Sequence, residues 1–216
     1  MSVSLVSYSS DGKSSLQDMV CYCARVSNPS NQNNTLTNEK LMNYLIRHEH
    51  WSPFEMVSIC LEINTTRDIA RQILRHRSFS FQEFSQRYAD VSALQVSETR
   101  EARIQDQVNR QNSLECENDT LQHEWEEKQN EVVRATQSAY QWALEKGIAK
   151  EVARSVLPEG LTPTRMYMNG TVRSWIHYIQ LRSANGTQKE HREIAIACAK
   201  SIDAIFPMST ICNLSK

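Results

Sequence analysis

Residues 71–90 read RQILRHRSFSFQEFSQRYAD, and the span from Arg71 to Arg87 gathers Arg71, Arg75, Arg77, Arg87 and His76 around a single carboxylate, Glu83. A guanidinium is a planar fork of N–H donors that meets phosphate or carboxylate through two parallel hydrogen bonds. Gln72, Ser80, Gln82 and Ser85 add amide and hydroxyl groups to the same stretch. Arg75, His76 and Arg77 could simply answer the negative end of a helix, but that leaves Arg71 and Arg87 unexplained. So many like charges repel unless anions sit among them, and the stretch therefore predicts an anion-binding site. Nucleic acid is the rival ligand. It is disfavoured by a formal net charge of -1 and a pI near 6.6, because nucleic-acid binders usually carry a basic surface rich in lysine. This chain has 16 Arg against 8 Lys, with no lysine between Lys40 and Lys128.

Other constellations are weaker. The six cysteines (21, 23, 60, 116, 198 and 212) have no paired C-x-x-C spacing, and without a visible secretory signal they read as reduced, structural thiols. His48, His50 and Glu55 could begin a hydrolytic metal site, but no third strong ligand is evident and no metal is expected. Cys60 has no adjacent base, and Ser85 no His–carboxylate relay, so neither reads as a nucleophile. The five glycines, Gly12, Gly147, Gly160, Gly170 and Gly186, are too far apart to write a Rossmann or P-loop fingerprint. Any nucleotide must be held by side chains and helix ends.

The elements that must position these groups follow from periodicity. Helical spacing covers 15–27 and 37–48. MVSICLEINTT alternates strictly, with Val57, Ile59, Leu61 and Ile63 on one face, which predicts a strand with one buried side. Thr65 or Thr66 can cap the helix that follows, where Ile69, Ala70, Ile73 and Leu74 form the apolar side and Arg67, Arg71 and Arg75 recur every four residues. A long helix is expected from Asp119 to Glu145, closed by Gly147, then a short one around 149–157. TRMYMNG reads as a second strand. Helices over 171–184 and 188–205 follow, the first with Val172, Trp175, Ile176 and Ile179 inward. The expected fold is α+β: one domain over 1–216, with a mostly antiparallel sheet flanked by long helices. At 216 residues with 40% hydrophobic content the chain can bury a substantial core. No apolar run suits a membrane span, and with no targeting signal a cytoplasmic location is expected.

Residues 75–88, RHRSFSFQEFSQRY, closely resemble the signature of the flavin-dependent thymidylate synthases: Arg-His-Arg, seven residues, then Ser, with Glu two positions before it and Arg-Tyr shortly after. RHEHWSPFE (47–55), ARQ (70–72), EVARSVLP (151–158) and VRSWIHYIQLR (172–182) resemble further segments of that family in the same order. The resemblance implies reductive methylation of dUMP to dTMP, with FAD as cofactor and methylenetetrahydrofolate and NADPH as co-substrates. It also implies a homotetramer with sites between subunits, and catalysis without an enzyme nucleophile.

Carried over position by position, the resemblance implies flavin contacts at Ser52, Arg75, His76, Arg77, Glu83, Thr171, Arg173 and His177. It implies dUMP contacts at Gln72, Arg75, Glu83, Phe84, Ser85, Gln86, Arg87, Arg154 and Arg182, with Phe84 and Gln86 acting through their backbone. His50 would lie near the flavin or folate. Arg182 is the implied catalytic residue, facing the uracil imide edge and favouring its anion. Gln82 and His177 each stand where the family often has Asn, and Gly186 where it often has His.

Overall fold

The computed structural model describes residues 1–91, 94 and 99–214. A four-stranded sheet in the order β1-β2-β6-β3 is antiparallel at every pairing. β2 (Ser58–Thr66) and β6 (Pro163–Thr171) form its centre, running in unbroken register from Ser58 opposite Thr171 to Thr66 opposite Pro163. Their alternation is the reason: Ile59, Leu61 and Ile63 are buried on the same side as Met166 and Met168, and a one-residue slip would turn all of them to water. β1 (Ser2–Tyr8) and β3 (Ser80–Glu83) are the edges. β4 (Arg103–Gln105) and β5 (Ser113–Glu115) make a separate two-stranded ribbon.

Helices cover the buried side. α1 (Leu16–Ala24) starts with a reciprocal capping box between Ser15 and Asp18, and Asn38 at the start of α2 (Asn38–Arg47) donates to Asp18. α3 (Arg67–Ile73) leaves directly from β2, and α6 (Val172–Arg182) directly from β6, with Thr171 capping its first turn. Trp175, fully buried, donates its indole N–H to the Ile59 carbonyl at 3.0 Å and so ties α6 to the central strand. α7 (Lys189–Ile202) completes this layer with Ile194, Ala195, Cys198 and Ala199 buried.

α4 spans Asp119–Glu145 and Gly147 closes it at φ 76. It buries only Gln129, Tyr140 and Ala143. A small cluster of Val91, Tyr140, Ala143 and Ala153 seats it against α5 (Lys150–Ala153). The last element is α8 (Met208–Ile211). No helix among the described residues is long and apolar enough to cross a membrane.

Candidate active site

α3 brings the arginine-rich stretch to one end of the helical layer. Beyond Ile73 the chain tightens into turns, with His76 N–H donating to the Ile73 carbonyl and Phe79 N–H to that of His76. Phe79 anchors this turn. Its ring meets Trp175 edge-on at 4.8 Å and lies on the backbone of β6 at Gly170, where a Cβ would come within 2.4 Å of it. Only glycine admits that approach. β3 then pairs with β6, placing Glu83 opposite Met166.

Two of the four guanidinium groups of the cluster, and two arginines beside it, already have an anion that the chain itself supplies. Arg71 pairs with Glu159 at 2.5 Å, Arg87 with Glu151 at 3.2 Å and Arg67 with Glu83 at 3.0 Å. Arg173 pairs with Glu55. Glu159 and Glu151, which answer Arg71 and Arg87, lie on segments far along the chain, so the pairing is tertiary rather than local. Arg75 and Arg77 are exposed and have no ion pair among the described residues, and half-buried Arg154 has none either. Arg182 likewise has no ion pair among the described residues.

His76 and Arg182 meet. The Arg182 Nε–H donates to His76 Nε2 at 2.9 Å, so the His76 ring is neutral with its proton on Nδ1. Burial first, and then the Arg182 charge, push the His76 pKa down to about 4. With Nε committed, Arg182 keeps its terminal Nη hydrogens for another partner. Tyr178 holds the other side of His76, ring edge to ring face, with centroids 4.9 Å apart.

The remaining candidates fall in two groups. Gln72, Arg75, His76 and Arg182 gather where α3 and α6 end. Thr171 and Arg173 belong to the opposite end of α6, His177 lies midway along it, and Ser52 and His50 lie on the segment ahead of β2. Eleven residues of helix separate the two ends, roughly 15 Å at the α-helical rise. Midway along α6 the Trp51 and His177 rings stand edge-on at 4.8 Å, and burial with the Arg173 charge lowers the His177 pKa. The Thr171 hydroxyl is occupied as a cap for Ser174 N–H. Ser52 opens a tight 3-10 turn over Ser52–Glu55 and is exposed. His50 is exposed, with its ring 6.1 Å from that of His48. Among the described residues no three potential metal ligands gather.

Along the strand-to-turn segment, Glu83 also accepts from the Thr164 hydroxyl at 2.9 Å. Phe84 N–H is taken by the Arg165 carbonyl. Ser85 is exposed, and its carbonyl accepts from the Tyr88 and Ala89 amides. Gln86 is 5% exposed, and its side-chain Nε2 has no hydrogen-bond partner. A role for that side chain was invisible in a motif that used only its backbone. His191, fully buried against Tyr178 and Gln72, was also missed. Only its four-residue offset from the apolar Ala195, Cys198 and Ile202 pattern of α7 could have flagged it.

Comparison with known proteins follows this geometry. The sequence model of the family described as "Thymidylate synthase complementing protein" matches residues 4–208. A probable flavin-dependent thymidylate synthase of Paramecium bursaria Chlorella virus 1 is 49% identical over 210 residues, covering 96% of each chain. The flavin-dependent thymidylate synthase of Synechocystis sp. is 52% identical over 191 residues, 88% of this chain and 86% of its own. A solved UMP/dUMP methylase of Streptomyces cacaoi, bound with 5-Br dUMP, superposes with a TM-score of 0.82 at 26% identity, covering 99% of this chain and 94% of its own. With the matched region running from within β1 to the first residue of α8, this chain belongs to the flavin-dependent thymidylate synthase family.

Proposed function

We propose that the chain is a flavin-dependent thymidylate synthase that methylates dUMP to dTMP, taking the carbon from methylenetetrahydrofolate and reducing power from NADPH through bound FAD. The observation that carries the reading is the Arg75-His76-Arg77 turn: two exposed guanidinium groups with no anion among the described residues flank a neutral histidine that holds Arg182. That donor set fits a flavin dinucleotide, whose pyrophosphate needs cations not already neutralised. Arg75, His76 and Arg77 would hold the cofactor from one side, with Arg173 and His177 on the first half of α6 and Ser52 in the turn over Ser52–Glu55. Bound FAD supplies the redox chemistry, moving reducing equivalents from nicotinamide to the transferred carbon.

The chain's own residues bind and polarise. Arg87, Arg154 and Ser85 would take the dUMP phosphate. Arg87 must then release Glu151, and both side chains of that pair are more than half exposed, so the release costs at most about 1 kcal/mol. A phosphate dianion outcompetes such a partner. The Nη face of Arg182 would meet the uracil imide edge and favour its anion, which makes carbon 5 nucleophilic. His76, accepting from Nε, keeps that face in one orientation. Cys60 is half-buried, its thiol held protonated by burial, which agrees with catalysis that uses no enzyme thiol.

A homotetramer is part of the reading. It is supported by α4, which leaves Leu121, Trp125, Val132 and Trp142 exposed along a helix with little buried surface. We also read the chain as one domain working in the cytoplasm. The test is direct: the purified protein should be yellow with bound FAD, and label from methylenetetrahydrofolate should appear in dTMP only when NADPH is present. Substituting Arg75 and Arg77 together by alanine should release the flavin. A colourless wild-type protein that makes no labelled dTMP even with added FAD overturns the proposal.

A further inference from the structure

The side chain of Gln72 ends in a buried relay that nothing in the motif requires. Its Nε2 donates to Gln188 Oε1 at 2.8 Å, and Gln188 Nε2 donates to Glu190 Oε2 at 2.9 Å. Glu190, in the first turn of α7, is itself paired with Arg103 at 2.7 Å. On the other side Gln72 Oε1 lies 3.2 Å from His191 Nδ1, and His191 Nε2 lies 3.2 Å from the Tyr178 hydroxyl.

One carboxylate sets the direction of every bond in this chain. Ionised Glu190 can only accept, so Gln188 must turn its NH2 toward it and its carbonyl toward Gln72. Gln72 must then turn its NH2 to Gln188 and its carbonyl to His191. His191 therefore carries its proton on Nδ1 and accepts from Tyr178 at Nε2. An amide that could otherwise flip freely has one allowed orientation. Gln72 is half-buried and retains one amide hydrogen and one carbonyl lone pair for an outside partner.

We infer that His191 is a positioning residue: its Nδ1–H pins the Gln72 amide so that a free N–H meets an acceptor oxygen of the bound nucleotide. The same ring also reaches the His76–Arg182 pair beside Gln72. Tyr178, which bonds to His191, also packs edge-on against His76, the acceptor of Arg182. His76 and His191 have ring centroids 6.3 Å apart. One buried unit thus orients both Gln72 and the residue that orients Arg182. A side chain needed only to fill space at a site with 0% exposure would be apolar, because a buried imidazole costs stability unless both nitrogens are satisfied.

The inference rests on the reading of Gln72 as a nucleotide contact, and the test separates the two. Asn places its amide nitrogen where His has Nδ1, and Gln places its own where His has Nε2. His191→Asn therefore keeps the donor to Gln72 and loses Tyr178, whereas His191→Gln does the reverse. Both holoenzymes are assayed for KM of dUMP, kcat, flavin content and Tm. His191→Gln should raise the KM about fivefold, the worth of one neutral hydrogen bond, with kcat and flavin nearly unchanged. His191→Asn should hold the KM near wild type despite a lower Tm. Equal KM values in the two variants, with only Tm changed, overturn the positioning role. Gln72→Leu with an unchanged KM overturns it instead through its premise, that Gln72 touches nucleotide. If neither His191 variant folds, Gln188→Leu decides: the fivefold rise supports the relay and an unchanged KM overturns it.

Discussion

His76 and His191 are the residues whose chemistry depends most on the fold. Burial and the Arg182 charge lower their pKa values to about 4 and about 3, with His76 adding to the effect on His191. An unfolded chain returns both to about 6.5. Between those values the unfolded state binds protons that the folded state refuses, so stability is present above pH 6.5 and lost as pH falls toward about 4 for His76 and about 3 for His191. Thermal melts across that window should show Tm falling with pH. Replacing His191 by phenylalanine should flatten the slope, and an unchanged slope would show that His191 protonates freely in the fold. Glu159 and Glu190, whose pKa values are lowered, add their own loss only below about 4.5. The absence of an enzyme nucleophile is also tested residue by residue. Cys60→Ala should turn over normally, and Ser85→Ala should keep turnover at saturating dUMP while its KM rises. A Ser85→Ala protein that binds dUMP normally and makes no dTMP would falsify this.

At the scale of elements, the strand-to-helix joints set the site. β2 runs into α3 and β6 into α6, so the two central strands aim both helices, and Phe79 wedges the intervening turn against Gly170. Gly170→Ala brings a Cβ within 2.4 Å of the Phe79 ring, and overpacking of that kind costs about 1–3 kcal/mol. Denaturant melts should show that loss, with weaker flavin retention because the turn carries His76 and Arg77. Adding Phe79→Leu should recover much of it, since touching residues do not act additively; an additive double variant would place the strain elsewhere. These joints were largely legible. Strict alternation announced β2, apolar spacing announced α6, and α4 was placed from Asp119 to Glu145, as the structure has it. β1 was not read because its serines and a bulge between Leu5 and Ser7 break the alternation of an edge strand. β3 was not read because its four residues have no pattern of their own and are held by β6. The carboxylates that answer Arg71, Arg87 and Arg173 come from distant segments, so no local spacing could reveal them. The His76–Arg182 bond is hidden for the same reason: it joins ends of two helices that only the sheet brings together.

At the scale of the whole molecule, near-neutral charge and a concentrated set of arginines are reconciled by internal pairing, which leaves Arg75, Arg77 and Arg154 without an ion pair among the described residues. The homotetramer reading predicts a sedimentation mass about four times 24.9 kDa, and a monomer that retains full activity would remove the inter-subunit site. The central claim is that Arg182, held by His76, activates the nucleotide for flavin-dependent methylation. The structural alternative is a surface arginine answering a helix end, worth well under about 1 kcal/mol. A charge contact that strengthens in the transition state is worth on the order of 3 kcal/mol, roughly a hundredfold in rate. The deciding measurement is single-turnover dTMP formation by reduced Arg182→Ala enzyme mixed with dUMP and methylenetetrahydrofolate. The account predicts bound FAD and NADPH-driven flavin reduction close to wild type, with dTMP formation slowed about a hundredfold or more. A near-normal rate and yield of dTMP from that variant would contradict it.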